Sequence, residues 1–182
     1  MEKRKTKMSV RDLTFIGISV ALITIMAQLT VPLPVVPLTM QTFAVPLVGA
    51  ALGAKKGAIA ALVYVLLGAV GAPVFAGFGG GFHRIIGPWG GYLLSYPIFA
   101  FVAGFGADKG KNNWLGLGLV VGSIINLTMG TIQLGLVNNL MVWDAFIRGF
   151  AQFIPAEIIK LTLVFFITPD IRKAIAKIGN NG

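Results

Sequence analysis

The amino-acid sequence predicts an all-α membrane protein of six transmembrane helices, with both termini cytoplasmic and a glycine-rich outward loop between helices 3 and 4. Three observations predict it. Of the 182 residues 56% are hydrophobic and 12% charged, against about 25% charged in a chain that must cover itself in water, and the mean hydropathy is +0.85. Residues 13–54, 57–83, 85–107 and 112–143 contain no Lys, Arg, Asp or Glu. The basic residues gather between these stretches, as expected of cytoplasmic segments that obey the positive-inside rule.

A span needs about 20 apolar residues, so the stretch 13–54 holds two helices. Pro32, Pro34 and Pro37 in VPLPVVPL break it, because proline lacks the N–H a helix requires. Helix 1 is then Leu13 to Leu29 and helix 2 Thr39 to Gly53. Helix 3 runs from Gly57 to Gly71, stopped by Gly71, Ala72 and Pro73. Helix 4 is Tyr92 to Ala107, helix 5 Leu115 to Asn138, and helix 6 Ala145 to Thr168, ended by Pro169. With both ends inside, Lys3, Arg4, Lys5, Lys7, Arg11, Lys55, Lys56, Lys109, Lys111, Arg172, Lys173 and Lys177 all fall on cytoplasmic segments, leaving Arg84 and Arg148 outward and Lys160 within a span. The basic start followed by an apolar run also has the form of a signal peptide, but five further spans and the lack of an A-x-A site speak against cleavage.

Several function classes are excluded. The net charge of +9 is dispersed over the inner ends of spans and forms no patch for nucleic acid. With no cysteine there is no disulfide or thiolate chemistry, and the single histidine, His83, excludes a multi-histidine metal site. The segment GADKGKN (Gly106 to Asn112) lacks Walker spacing, so the chain has no P-loop for ATP.

Two features carry the functional reading. Ionisable side chains at membrane depth are costly and mark functional sites by default. Glu157 and Lys160 in FIPAEIIKL stand at i and i+3, on one helix face. They form either a structural ion pair or a polar recognition site, and Pro155 kinks the helix beside them or starts its inner part. The second feature is PVFAGFGGGFHRIIGPWGGYL (Pro73 to Leu93), in which glycines 77, 79, 80, 81, 87, 90 and 91 let backbone N–H groups approach an anion. Arg84 is its one charge, and Phe75, Phe78, Phe82, Trp89 and Tyr92 suit a lid over apolar surface. Small-x-x-x-small pairs that permit close helix contact occur at Gly17 and Ala21, Gly49 and Gly53, and Gly118 and Gly122.

VPLTMQTFAVPLVGAALGAKKGA (Val36 to Ala58), GPWGGYL (Gly87 to Leu93) and FIPAEIIKL, in that order, resemble the biotin-specific S component of energy-coupling factor (ECF) transporters, the BioY family. The likeness covers nearly the whole chain. Ala156 and Glu157 stand where the family more often has Gly-Asp, and Trp89 where it more often has Thr. The resemblance implies one integral membrane substrate-binding domain, residues 1–182, in a prokaryotic plasma membrane, with biotin as transported ligand and no cofactor or catalysis of its own. It also implies docking on a module of one transmembrane coupling protein and two ATPases, with Gly17 and Ala21, and Ala27 further along helix 1, as the docking face. Read beside that resemblance, the polar pair, the glycine segment and the outer end of helix 2 make Gln41, Gly80, Arg84, Gly90, Gly91, Tyr92, Glu157 and Lys160 the residues expected to bind biotin. A ureido ring presents two N–H donors and a carbonyl that an adjacent carboxylate and ammonium can match. From the residues alone, three other readings stay open: an intramembrane enzyme with Glu157 as general base and Lys160 or His83 as partner, a binding subunit for another vitamin, and a retinal-type Schiff base at Lys160. The last is disfavoured by the count of six spans.

Overall fold

Ser9 and Asp12 open the first helix by capping each other. The Asp12 N–H donates to Ser9 Oγ at 3.2 Å and the Ser9 N–H to Asp12 Oδ2 at 3.3 Å, which satisfies donors that helix geometry leaves orphaned. The computed structural model describes residues 8–33 and 36–180, without the side chains of residues 179 and 180. Lys3, Arg4, Lys5, Lys7 and Pro34 lie outside the described residues. Helix α1 (Val10–Gln28) buries Ile16, Ser19, Val20, Ile23 and Ala27 at helical spacing and packs against α2 (Gln41–Leu52) and α3 (Ala54–Ala69). Ala27 therefore faces the bundle and does not belong to the docking face expected of helix 1. Where the prolines forbid a helix, the chain instead forms a small antiparallel pair, β1 (Thr30–Val31) with β2 (Leu38–Thr39).

At Gly53 the backbone takes φ 85°, a left-handed conformation suited to glycine, and the chain folds back so that Gly57 lies against the Gly49 backbone. Helix α3 begins three residues earlier than the sequence suggests. The cause is remote: Asp108 Oδ2 accepts the Ala54 N–H at 3.0 Å, a carboxylate at a helix N-terminus. Asp108 also pairs with Arg172 at 2.9 Å, and Arg172 donates to Ala50 O at 2.9 Å. At the same end Lys56 pairs with Asp12.

A short helix α4 (Phe82–Ile86) leads into α5 (Gly90–Asp108), the central element, which packs on α2, α3 and α6 (Asn112–Asn138). Close approach is possible because Gly49 meets the Ala100 backbone and Gly122 meets the Phe99 ring, where a Cβ would collide. The Gly49/Gly53 and Gly118/Gly122 pairs thus serve differently from each other: Gly53 turns the chain, whereas both glycines of α6 pack on α5.

The last predicted helix is corrected. It is not one span ending at Thr168 but α7 (Val142–Gly149), a 3₁₀ turn (Ala151–Phe153) and α8 (Ile154–Asn180). The break follows from α7's small face: Ala145 and Gly149 are buried, and Gly149 packs on Thr131, Tyr92 and Leu134 of α5 and α6, while Phe150 leaves helical geometry at φ −120° and ψ −65°. Pro155 starts α8, where its missing N–H costs nothing. Pro169 does not end it, because contacts beyond it hold the helix on: Arg172 to Asp108 and Ala50 O, and Arg11 donating to Ile175 O at 2.9 Å.

Among the described residues the regular elements are helices apart from the strand pair and an isolated bridge between Phe75 and Gly79. Among the described residues α1, α5, α6 and the run Val142–Ile178 are long and apolar enough to cross a membrane. Helices α2 and α3, with 12 and 16 residues, are shorter than the roughly 20 residues of a full span.

Candidate functional site

The first turn of α8 carries Glu157 inward, and one turn on, Lys160 joins it. Their side chains are 6% and 7% exposed, with Lys160 Nζ 3.0 Å from Glu157 Oε1. The ammonium's three donors are all used: Glu157 Oε1, Thr42 Oγ1 at 2.7 Å and Thr39 O at 3.0 Å. Thr42 Oγ1 donates in turn to Glu157 Oε1 at 2.5 Å, and Ser123 Oγ of α6 donates to Glu157 Oε2 at 3.3 Å. A buried charge is tolerated only with such partners. Helix α2, its preceding strand and α6 therefore hold the pair in place.

The pair lines a cleft of about 650 Å³, its open mouth included. Gln41, Arg84 and Tyr92 reach the same cleft. Gln41 is 4% exposed and held on both sides, accepting from Thr39 Oγ1 at 3.0 Å and donating from Nε2 to Tyr64 OH at 2.5 Å. Arg84, on α4, lies over the Trp89 ring at 5.2 Å, a contact that fixes a guanidinium without neutralising it. Tyr92 presents its ring edge-on to Phe153 at 6.2 Å, and its hydroxyl donates to Gly149 O at 2.7 Å. Val36, Leu127 and Phe153 add apolar wall. The lining thus combines one carboxylate, two cations and a largely apolar surface, suited to a small amphipathic molecule with a polar head and an anionic end.

Gly80, Gly90 and Gly91 do not line the cleft. Gly90 and Gly91 are the first residues of α5, where they press on Ile85 O and the Met129 carbonyl, and Gly80 presses on Ala72 O. The segment expected as an open glycine loop is therefore largely built structure, with Gln133 Nε2 donating to Ile85 O and Gly87 O, each at 2.8 Å. His83 is not in the lining, which removes it as a partner for Glu157. Sequence reasoning missed Thr39, Thr42 and Asn126. Asn126 is 1% exposed and donates to Tyr92 O at 3.1 Å and Ser95 Oγ at 2.6 Å. The available signal was an amide in the middle of a charge-free span. On α1, by contrast, Gly17 and Ala21 lie exposed on one face, away from the cleft, and a Cβ at Gly17 meets nothing within 4 Å.

The model of the BioY family matches residues 1–177. The biotin transporter BioY of Thermotoga maritima is 40% identical over 167 residues, covering 90% of this chain and 96% of that one. The protein of the same name from Rhodobacter capsulatus is 32% identical over 177 residues, covering 88% and 93%. A crystal structure of the S-component for biotin from an ECF-type ABC transporter superposes with a TM-score of 0.83 at 28% identity, over 95% of both chains.

Proposed function

The chain belongs to the BioY family, and from that premise we propose that its buried Glu157–Lys160 pair and the cleft around it bind biotin for uptake. It is the substrate-binding S component of an ECF-type transporter, a multi-pass membrane protein that takes biotin as transported substrate, and it is not an enzyme. The single observation that carries the site assignment is the buried charge pair standing on the wall of a largely apolar cleft.

Glu157 accepts the ureido N–H groups and Lys160 turns to the ureido oxygen the donor that Thr39 O holds in the free protein, charge-assisted bonds stronger than neutral ones. The apolar wall takes the thiophane ring and chain. Arg84 takes the valerate carboxylate, and Gln41 and Tyr92 complete the lining. The whole chain acts as one substrate-binding domain with six crossings and both termini cytoplasmic, in the plasma membrane of a prokaryote. Two features support that topology: the basic residues collect at one set of helix ends, and α2 with α3 fills the place of two shorter spans. The energising module comprises one membrane coupling protein and two ATPases, and α1 docks on the former through Gly17 and Ala21.

Calorimetry of the purified protein with biotin, thiamine and riboflavin tests the reading: biotin binds and the others are silent, whereas binding of another vitamin with biotin silent overturns it. The same titration checks Arg84. Biotinamide, which lacks the anionic charge, binds roughly tenfold more weakly than biotin, the scale of one charge-assisted hydrogen bond. In Arg84→Ala the two ligands bind alike. An undiminished preference for biotin in that variant places the carboxylate elsewhere.

A further inference from the structure

A turn of unusual backbone forms part of the cleft wall. Between α3 and α4 the 3₁₀ turn Ala76–Phe78 holds two residues in the left-handed region, Gly77 at φ 67° and Phe78 at φ 52°. Glycine adopts that region freely, but a residue with a bulky side chain does so only where its surroundings over-determine it. Packing does not hold Phe78, which is 72% exposed. Reciprocal backbone bonds close the turn, Phe75 N–H to Gly79 O at 2.9 Å and Gly79 N–H to Phe75 O at 3.2 Å, and the side chain that grips it is the last residue of α1. Gln28 Oε1 accepts the Phe78 N–H at 2.8 Å, and Gln28 Nε2 donates to Phe75 O at 3.2 Å and, within its own helix, to Thr24 O at 3.0 Å.

One amide therefore grips the turn on both sides while remaining anchored to α1. On its inner side Phe75 is 3% exposed, its ring edge-on to Tyr64 at 5.6 Å, and Tyr64 OH donates to Val74 O at 3.0 Å. Phe75 and Ala76 line the cleft. We propose that Gln28 is a positioning residue for the ligand: by clamping the Phe75–Phe78 turn in its left-handed form it keeps Phe75 and Ala76 on the cleft wall, and so sets how long bound ligand stays. The role needs an amide. Glutamate keeps the acceptor for Phe78 but loses the donor to Phe75 O, lysine keeps the donor but loses the acceptor, and leucine loses both. The ligand part of this inference rests on the cleft being the biotin site.

The test uses the full chain in nanodiscs with two readouts. The first is amide exchange at Phe78 and Gly79 without biotin, and the second is the dissociation rate of labelled biotin. Gln28→Leu is expected to speed exchange at Phe78 and biotin dissociation each by roughly tenfold, the scale of lost hydrogen bonds, with the association rate unchanged. Gln28→Glu keeps Phe78 slow, and Gln28→Lys does not. Phe78→Gly placed in the Gln28→Leu background recovers most of the slow dissociation, because glycine holds the turn without the clamp. A general loss of fold in Gln28→Leu is not rescued in this way.

Unchanged exchange in Gln28→Leu overturns the clamp. Faster exchange with unchanged dissociation overturns its role in retention. A wild-type protein that binds no biotin overturns the functional reading instead, and Phe78 exchange in Gln28→Leu still decides whether the clamp exists.

Discussion

Lys160→Met and Glu157→Gln each lower biotin affinity by roughly ten- to a hundredfold, the scale of losing hydrogen bonds to a charged group. The two variants fail for different reasons. Lys160→Met removes the donor to the ureido oxygen and also strips Glu157, Thr42 and Thr39 of a shared partner, leaving a buried carboxylate short of positive charge. Glu157→Gln keeps the shape but replaces one acceptor oxygen with an NH₂ group, which faces donors on every side: Thr42, Lys160 and Ser123. Lys160→Met is the larger loss because three bonds end on that ammonium. Calorimetry measures both variants, with helical content by circular dichroism as the control for fold. Full affinity in both would show that the pair only holds helices together.

The second large effect falls on assembly and leaves binding alone. Gly17 and Ala21 stand one turn apart on the exposed face of α1, beside Leu13, Ile18 and Ile25, each of which is more than half exposed. A side chain added at Gly17 meets nothing within the protein. Gly17→Trp with Ala21→Leu is therefore expected to leave the fold and biotin affinity unchanged while abolishing co-purification with the coupling protein, because two helices cannot approach closely over bulky side chains. Pull-down from cells expressing the module reads this directly. Undiminished assembly moves the docking face off α1.

The membrane character and the site's polar centre were legible in the sequence because each rests on a local rule. Charge-free stretches demand lipid, and Glu157 and Lys160 lie three residues apart on a helix that no other rule explains. The ends of α1, α2, α5 and α6 fall within three residues of expectation, since proline, glycine and charge mark them. What the sequence hides depends on distant partners. Asp108, some fifty residues from α3, caps it at Ala54. Contacts from Arg172 and Arg11 carry α8 past Pro169. Gly149 breaks the last predicted helix through neighbours on α5 and α6.

The glycines misled for the same reason. A glycine that frees a loop and one that lets helices touch look identical in sequence, and Gly90 and Gly91 are of the second kind. Thr42 went unseen because a threonine in the first turn of a helix ordinarily needs no explanation, yet here it bridges the two charges.

The most direct measurement of the central claim is mass spectrometry of the small molecules that co-purify with the chain, compared between wild type and the Glu157→Gln, Lys160→Met double variant. The account predicts biotin released from the wild type in stoichiometric amount and none from a folded double variant. A different molecule in the wild type, or biotin retained equally by both, would contradict it.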